Sequence, residues 1–454
     1  MKSTRTAVFA TAVLVALVAG AEQSDPIDTA KLSGDIAKSE AFARLTPEQL
    51  AARKSEVLHA LLDLALVPPE VNVKPDRRHS FAELDFVMSA GMTRTDKGRL
   101  FAVWHGGEDG PKSFLVGTWS DDGGKTWADT RFTVGGDRPV LWLGEGPVYV
   151  SEIMGNVWFA PDGTLRLYVH QSVNMFDSRG ALFEFVCRNP DDANPAWSRG
   201  RMIGWGGTHN HPIVLKDGTW LLPNNFEDFS WHGEYYPELV RQRGCGILAS
   251  KDCGRTWTPR GYVRPKGETH YTEHSLIDFG EGRLRMYLRT GKGLMVSDSA
   301  DEGMTWSEPR YDDNIRQAVS RSGTIRLRDG RLVLVKNGDA VGKVIPRPGK
   351  GPDDLNGLRN ELTVYLSDDL GKSWKGGLVI DERDHVAYPD IFEGQDGFIY
   401  MCYDHSRNSK KDEYLFAKVK PEDVLAKRLV SSGSSLKNVI FSETAGRSHR
   451  RTFH

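Results

Sequence analysis

The chain has 454 residues, of which 39% are hydrophobic and 26% are charged, so it can bury a large core. Its formal net charge of −2 gives no bulk electrostatic attraction to nucleic acid or to an anionic membrane. We therefore expect a globular protein that neither binds nucleic acid nor inserts into a membrane.

The N-terminal segment predicts export from the cytoplasm. Basic residues precede an apolar run at 7–19, and the small residues at 19–21 are typical of a signal-peptide cleavage site. The run is short for a transmembrane helix, and no other stretch is apolar enough to span a bilayer. We predict a signal peptide at 1–21, cleavage near Ala21, and a secreted or periplasmic mature protein.

The two segments that flank the main part of the chain differ from it in pattern. From Pro47 the sequence has apolar residues at three- and four-residue spacing, which is typical of an amphipathic helix. We predict a short N-terminal helical extension at 22–69 that packs on the outside of a main domain at 70–430. The Ser-rich and then basic segment 431–454 predicts a C-terminal tail.

One eight-residue motif, Ser-x-Asp-x-Gly-x-(Ser/Thr)-Trp, is repeated within the main domain. The four copies occupy 120–127, 250–257, 299–306 and 367–374, with a degraded copy at 189–197. In such a turn, Asp and Ser can accept hydrogen bonds from local backbone N–H groups, glycine takes a positive φ, and the tryptophan covers a hydrophobic layer. Repetition on this scale indicates a repeated architecture.

A second repeat predicts the number of units. A turn that ends in glycine and leads into a strand of alternating apolar residues occurs six times, at Gly98, Gly163, Gly218, Gly282, Gly330 and Gly397. The intervals of 48 to 67 residues suit a four-stranded antiparallel sheet with its loops. A sandwich with many hairpins is the alternative. We predict an all-β fold: a six-bladed β-propeller of four-stranded antiparallel blades.

The cysteines and histidines give no indication of a metal site. None of the four cysteines has metal-type spacing, and Cys245 and Cys253 could either form a disulfide or remain buried thiols. The His-Asn-His segment at 209–211 lacks a third ligand at suitable spacing, which favours loop hydrogen bonding. We expect neither a metal nor a cofactor.

Polar residues interrupt strand-like sequence in three successive repeats. These segments are 272–275, 288–290, 358–360, 387–390 and 403–405. Because the loops of all blades of a propeller meet at one end of the central channel, we expect these residues to form one polar site. Asn210 and His211, which open the inner strand of the third repeat, are further candidates to line it.

The repeated turn resembles the Asp box of the sialidase (neuraminidase) superfamily, and the match covers about residues 85–420. Family members bind a substrate carboxylate with three arginines, use a tyrosine activated by a glutamate as nucleophile, and use an aspartate as acid/base. The resemblance implies Glu273 as the activating glutamate and Arg289, sixteen residues later, as the second arginine. It implies Arg359, just before the strand leading into the last box, as the third arginine, and Tyr388 as the nucleophile.

The first arginine of the family pattern has no counterpart at the expected position. Met88 stands there, so Arg94 or Arg321 would have to substitute from another direction. Asp404, at the end of a later strand, resembles the acidic residue that braces the first arginine in the family. The resemblance therefore implies an anion site with two arginines assigned and the third open.

The acid/base position also departs from the pattern. The family aspartate lies about twelve residues before the first box, where this chain has Glu108 with Asp109 beside it. Either would protonate the leaving oxygen and then activate water. A tyrosine nucleophile suits sialic acid because the anomeric carbon already bears a carboxylate, which a neutral phenol does not repel. With an ordinary pKa near 10, Tyr388 needs Glu273 to accept its proton.

The leading prediction is an exported, retaining exo-glycosidase of sialidase type that releases a terminal acidic sugar, with sialic acid favoured, from glycoconjugates. Met88 in place of the first arginine favours the alternative of a propeller hydrolase or lyase acting on a uronic-acid-containing polysaccharide. A non-catalytic carbohydrate-binding propeller is the third reading. Tyr388 and Glu273 together argue against it, because binding alone needs neither a nucleophile nor its activator.

Overall fold

The computed structural model describes residues 63–136, 141–143, 146–173, 180–226, 243–268, 271–350, 358–407 and 411–443. The predicted signal peptide and the predicted extension up to residue 62 lie outside the described residues. The described end of the extension contains a 3-10 helix, η1 (Asp63–Leu66), and a second one, η2 (Arg77–His79), follows. Gln171 Nε2 donates to the carbonyl of Ala65 at 2.9 Å, which attaches η1 to the second sheet described below.

Apart from one two-stranded hairpin, the strands of the described part form six antiparallel sheets, each from one continuous stretch of chain. They are the blades of a six-bladed β-propeller, which confirms the predicted fold class. Blade one contains β1 (Val71–Asn72), β2 (Met88–Arg94), β3 (Leu100–Gly106), β4 (Phe114–Ser120) and β5 (Phe132–Val134). Blade two contains β8 (Val150–Phe159), β9 (Leu165–Val173), β10 (Ala181–Cys187) and β11 (Arg201–Trp205). Blade three contains β12 (Ile213–Val214), β13 (Trp220–Phe226), β14 (Gly244–Ser250) and β15 (Thr258–Val263).

The remaining blades have the same strand order, with each new strand added on the outside. Blade four contains β16 (Tyr271–Gly280), β17 (Arg283–Thr290), β18 (Gly293–Ser299) and β19 (Arg310–Tyr311). Blade five contains β20 (Gly323–Arg326), β21 (Leu332–Asn337), β22 (Leu362–Ser367) and β23 (Lys375–Asp381). Blade six contains β24 (Val386–Glu393), β25 (Ile399–His405), β26 (Glu413–Val419) and β27 (Ser435–Ser442). A separate hairpin of β6 (Leu141–Leu143) and β7 (Gly146–Val148) precedes blade two. The sixth blade thus includes β27, from the segment that the sequence assigned to the tail.

The hydrophobic core lies between neighbouring blades. Apolar side chains of β21 and β22 pack against those of β25 and β26, and all seven residues of β3 are buried. Strands covered on both faces lose the strict polar alternation of a half-exposed sheet, which explains their nearly continuous apolar sequence. The first strands of the blades form the innermost ring, in which β2 contacts both β8 and β24.

Every repeated box closes the turn between the third and fourth strands of its blade. In the last copy, Asp369 Oδ1 accepts from the backbone N–H of Ser373 at 2.8 Å, and Ser367 Oγ accepts from the N–H of Gly371 at 2.9 Å. Gly371 has a φ of 83°, which a residue with a Cβ adopts only under strain. These local bonds hold the pKa of Asp369 below its usual range. The boxes therefore stabilise the turns of the blades.

The same connection is built differently in blades two and six. In the degraded copy, Asn189 Oδ1 accepts from the N–H of Ala196 at 2.9 Å, and Trp197 packs on Phe132 with ring centroids 5.2 Å apart. In blade six a short helix, α1 (Pro421–Ala426), takes the place of the box, and Asp423 Oδ1 accepts backbone N–H groups from the following loop. Each of these two connections is thus also organised by one polar side chain.

The ring closes through side-chain contacts between the first and sixth blades. Asp404 Oδ2 accepts from the backbone N–H of Ser89 at 2.9 Å, and Asp390 Oδ2 accepts from that of Met92 at 3.0 Å. Tyr414 donates its hydroxyl to the carbonyl of Gly91 at 3.1 Å. Blade six supplies all four of its own strands, so no strand pairing joins it to blade one. These bonds and the apolar contacts beside them therefore hold the junction between blades one and six, which we call the seam.

The structure also locates the two cysteines considered as a pair. Cys245 is buried as the second residue of β14, whereas Cys253 is exposed in the turn beyond the end of that strand. The structure contains no disulfide between them. Within the described ranges, no helix has the length and hydropathy of a membrane span, and no three His, Cys, Asp or Glu side chains form a metal-binding group.

Candidate active site

Irregularities in the innermost strands build the site. β8, β16 and β24 each contain a register shift near their N-terminal ends. At each shift one non-glycine residue has a positive φ: 57° for Met154, 51° for Glu273 and 58° for Tyr388. A β-bulge turns a side chain away from its regular direction, and such backbone conformations cost about 1–3 kcal/mol each. Strain at similar places in the inner strands of three alternate blades, two, four and six, indicates a functional centre at this end of the channel.

Glu273 and Tyr388 meet at one guanidinium group. Arg289 Nη1 donates to Glu273 Oε1 at 2.6 Å and to the phenolic oxygen of Tyr388 at 2.8 Å. The side chains of Glu273 and Arg289 are 4% and 11% exposed, so little water competes for these bonds. The structure thus brings together three residues predicted from the sequence, although they come from blades four and six.

The electrostatics of this group keep the carboxylate charged and the phenol protonated. Burial acts to raise the pKa of Glu273, but the charge of Arg289 and its hydrogen bond to Glu273 outweigh it and hold the pKa below the usual range. Burial raises the pKa of Tyr388, and the Glu273 charge adds to this, while Arg289, Arg407 and Arg359 oppose it. At neutral pH the site therefore contains an ionised carboxylate beside a neutral phenol.

Three guanidinium groups surround the Tyr388 ring. The Cζ atoms of Arg407, Arg359 and Arg289 lie 4.0, 5.6 and 5.7 Å from its centroid. At these distances each cation interacts favourably with the ring electrons, but the three positive charges repel one another. The cluster favours a negatively charged ligand.

The three arginines differ in how they are neutralised. Arg289 pairs with Glu273, and Arg407 Nη2 donates to Asp404 Oδ2 at 2.6 Å. Arg359 donates to the carbonyl of Val319 at 3.0 Å, and among the described residues no carboxylate pairs with it. Burial lowers the pKa of Arg359, and the two neighbouring arginines lower it further. A desolvated guanidinium without an anionic partner is costly, so Arg359 is the place where a ligand anion would stabilise the site most.

Sequence reasoning missed Arg407. Asp404 was expected to brace the first arginine of the family pattern, and in the structure it braces Arg407 three residues later. Arg94, one of the two substitutes considered, is the last residue of β2 and lies at the opposite end of that strand. The three-residue spacing of Asp404, near the end of β25, and Arg407, just after it, is the available signal, but only the folded chain shows that the guanidinium covers Tyr388.

The side of Tyr388 where the family pattern expects an arginine is apolar. Met88 packs with Phe86, Ile153 and Met154 in a buried cluster that includes Ala387 and Tyr388. The third guanidinium therefore does not stand at the position of Met88. It reaches the Tyr388 ring from the end of β25 in blade six.

The two acid/base candidates lie on the loop between β3 and β4 but make different contacts. Glu108 Oε1 accepts from the backbone N–H of Lys112 at 3.1 Å, which holds Glu108 within its own loop. Asp109 has a side chain that is 38% exposed, and its Oδ2 lies 3.6 Å from Arg407 Nη1. Asp109 thus borders the arginine cluster and is accessible to solvent.

A polar plug crosses the channel below Tyr388. Arg321 is fully buried and donates to the carbonyl of Ala90 at 3.1 Å, to Asn210 Oδ1 at 3.0 Å and to Asp390 Oδ1 at 2.7 Å. Asn156 Nδ2 also donates to Asp390 Oδ1, at 3.2 Å. These bonds join blades one, two, three, five and six. Arg321 and Asn210, predicted to bind substrate, are therefore engaged by the protein itself.

His211 lies on the other side of the plug. Its Nε2 is 3.1 Å from Asp390 Oδ2, and its ring lines a cavity of about 670 Å³ at the opposite end of the channel. The cavity is also lined by Ile391 and Phe392, near the C-terminal end of β24, whereas Tyr388 is near its N-terminal end. We call this space the His211 cavity and the group around Tyr388 the Tyr388 site. The structure does not bring His211 to the Tyr388 site.

Comparisons with known proteins agree with this architecture. The family model described as BNR repeat-like domain matches residues 98–401. No curated protein sequence matches the chain. Similar solved structures include the intramolecular trans-sialidase from Ruminococcus gnavus, with a TM-score of 0.55 and 12% identity, over 78% of this chain and 98% of that one.

Two further sialidase structures are similar over a smaller share of their length. The Hadza microbial sialidase Hz136 has a TM-score of 0.53 and 19% identity, over 70% of this chain and 63% of that one. A variant of the NanB sialidase from Streptococcus pneumoniae has a TM-score of 0.52 and 14% identity, over 72% and 66%. At these identities the likeness concerns the fold alone. The chain belongs to the BNR repeat-like domain family, and its six-bladed propeller has the fold of sialidases.

Proposed function

We propose that the chain is an exported, retaining exo-glycosidase that releases a terminal acidic sugar, with sialic acid favoured, from glycoconjugates. The observation that carries the proposal is Arg359, a guanidinium with no carboxylate partner in the described part of the chain, set beside Tyr388 with Arg289 and Arg407. A sugar carboxylate would supply the missing negative charge through paired, charge-assisted hydrogen bonds.

Tyr388 is the nucleophile in this proposal. Its phenolic oxygen attacks the anomeric carbon while its proton passes to Glu273, whose Oε2 is buried and has no hydrogen-bond partner among the described residues. Arg289 holds both groups in place. A neutral phenol approaches a carbon that bears a carboxylate without the repulsion that an Asp or Glu would meet.

Asp109 is the acid/base. As the bond to Tyr388 forms, Asp109 gives its proton to the departing glycosidic oxygen. It then takes a proton from water, whose oxygen displaces Tyr388 from the anomeric carbon, and Glu273 returns the proton to the phenol. Two displacements at the same carbon retain its configuration.

The apolar cluster around Met88 favours a second candidate. Because Phe86, Met88 and Met154 occupy one side of Tyr388 with apolar atoms, a carboxylate is bound from the side of Arg407 and Arg359. A uronic acid, whose carboxylate is attached at a different ring carbon from that of sialic acid, would present it from another direction. The second candidate is therefore a hydrolase or lyase acting on a uronic-acid-containing polysaccharide.

Two substrates separate the candidates. The mature chain is incubated with a methylumbelliferyl α-sialoside and with a methylumbelliferyl β-glucuronide, and fluorescence reports release. A polyuronide is added in parallel, and ultraviolet absorbance reports unsaturated products. Release from the sialoside, with the retained anomer seen first by NMR, supports the first proposal. Turnover of a uronide without the sialoside would replace it by the second, and binding without turnover would contradict both.

A further inference from the structure

The His211 cavity is a second recess that the chemistry at Tyr388 does not use. Its volume of about 670 Å³ lies within the range of small-molecule sites, about 300–1,000 Å³. The plug around Arg321 and Asp390 lies between it and the Tyr388 site. A molecule in the His211 cavity therefore enters from the opposite end of the channel and is distinct from a substrate of Tyr388.

The floor of the cavity offers a histidine whose Nε2 lies close to a buried carboxylate. Burial acts to raise the pKa of Asp390, but His211 and Arg321 outweigh it and hold the pKa below its usual range, so the carboxyl is charged. Asp390 Oδ2 lies 3.1 Å from His211 Nε2 and so favours the tautomer with the proton on that nitrogen. Nδ1 then has a free lone pair and makes no hydrogen bond with the described residues, so it can accept one from a ligand hydroxyl.

The wall beside His211 contains a flat aromatic surface. The Phe392 ring is partly exposed, lies 6.1 Å from the His211 ring between centroids, and stacks on Tyr400 at 5.1 Å with an angle of 6° between planes. Tyr400 is buried and fixed by its hydroxyl, which donates to Asp396 Oδ2 at 2.8 Å. A supported aromatic face beside a hydrogen-bond acceptor suits a sugar, whose ring has an apolar C–H face and hydroxyls at its edge.

The arginines of this cavity are either paired with a carboxylate or solvated. Arg328 forms a salt bridge with Glu393 at 3.4 Å and donates to Gln395 Oε1 at 2.8 Å. Arg326 donates to the carbonyl of Asp278 at 2.7 Å and is exposed, so water solvates its charge, and the charge of Asp390 is balanced by Arg321. Unlike Arg359, these guanidinium groups leave no demand for a ligand anion, so the lining favours a neutral ligand.

We propose that the His211 cavity is a second carbohydrate site that binds one neutral sugar residue. The pyranose ring stacks on Phe392, and one of its hydroxyls donates to His211 Nδ1. The hydroxyls of Ser275 and Thr324, which share a hydrogen bond at the wall, offer further contacts. The proposal goes beyond the glycosidase proposed above and does not depend on it.

The test uses the full chain with Tyr388→Phe, so that no probe is consumed. Methyl glycosides of galactose, glucose, mannose, fucose and N-acetylglucosamine are screened by saturation-transfer NMR, and Kd is measured by titration calorimetry. We expect at least one to bind, and both Phe392→Leu and His211→Ala to weaken its Kd by about fivefold or more. Phe279→Leu is the matched control, because Phe279 is a partly exposed aromatic on β16 that does not line the cavity.

Each other outcome overturns the proposal. If none of the five glycosides binds, or if Phe392→Leu and Phe279→Leu have equal effects, the cavity is not a sugar site. Binding that is lost with Arg359→Met and kept with Phe392→Leu would place the sugar at the Tyr388 site instead. Thermal unfolding checks that each variant folds. Should His211→Ala not fold, Thr324→Val changes the same wall without exposing Asp390, and it is expected to weaken binding as well.

Discussion

The two ends of the central channel are formed by the same inner strands but balance charge in different ways. At the Tyr388 site, Arg359 has no described carboxylate partner, whereas in the His211 cavity Arg328 pairs with Glu393. The Tyr388 site also contains the bulged residues with positive φ, such as Glu273. The propeller framework is thus the same at both ends. Strained bulges and an arginine without a carboxylate partner distinguish the Tyr388 site as the end where we expect chemistry.

The largest expected effect is that of Tyr388→Phe, which removes the phenolic oxygen and tests whether chemistry is confined to one end. We expect kcat on the acidic glycoside that is turned over to fall by about 1000-fold or more, because no nucleophile remains. Sugar binding in the His211 cavity should not change. Tyr262→Phe is the matched control, since Tyr262 lies on β15 of blade three, away from the site. Full kcat in Tyr388→Phe would exclude the proposed mechanism.

Asp390→Asn tests the polar plug around Arg321, which lies between the Tyr388 site and the His211 cavity. Arg321 is 0% exposed, and loss of its ionic partner should lower the free energy of unfolding by about 3–5 kcal/mol, measured in urea. The pKa of Asp390 is depressed in the folded state, so its contribution is complete above the unfolded pKa near 4 and is lost as pH falls through the folded value. Stability should therefore decrease less steeply in acid for Asp390→Asn than for the natural chain. Identical acid dependence would contradict the assigned role.

Arg359→Met tests whether the Tyr388 site, unlike the His211 cavity, needs an anionic ligand. We expect KM at the Tyr388 site to rise by about 100-fold, because a charge-assisted pair with the ligand is lost. The free energy of unfolding should not fall, because the guanidinium has no described carboxylate partner to leave unpaired. Arg326→Met, at the other end of the channel, should leave KM unchanged. A parallel loss of stability and affinity in Arg359→Met would show that Arg359 is structural.

Asp109→Asn and Glu108→Gln give the smallest expected effect and locate the acid/base. Asp109→Asn should lower kcat by about tenfold on a methylumbelliferyl glycoside, whose leaving group needs little protonation, and by more on a natural disaccharide. Glu108→Gln should change kcat by less than about twofold, because Glu108 is bonded within its own loop. The reverse order would assign the role to Glu108.

Much of the fold was readable because it is encoded locally. Each Asp box specifies its own turn, and the strands between boxes are marked by apolar runs, so blade number follows from repetition. β27 has no box before it and was not recognised. In the site, Glu273, Arg289 and Tyr388 were predicted, but Arg407 was not, because its position over Tyr388 depends on how β25 and its following turn pack. The burial of Arg321 likewise depends on several blades converging.

Asp404 has a consequence for the molecule as a whole. One oxygen of this carboxylate accepts both the backbone N–H of Ser89, across the seam of the ring, and Nη2 of Arg407 in the site. An anion bound to Arg407 favours the closed seam, because opening it releases the carboxylate that positions the guanidinium. A bound anion would therefore stabilise the closed ring. Occupancy of the site should slow hydrogen exchange of the β2 amides and protect the molecule from proteases that attack a transiently open ring.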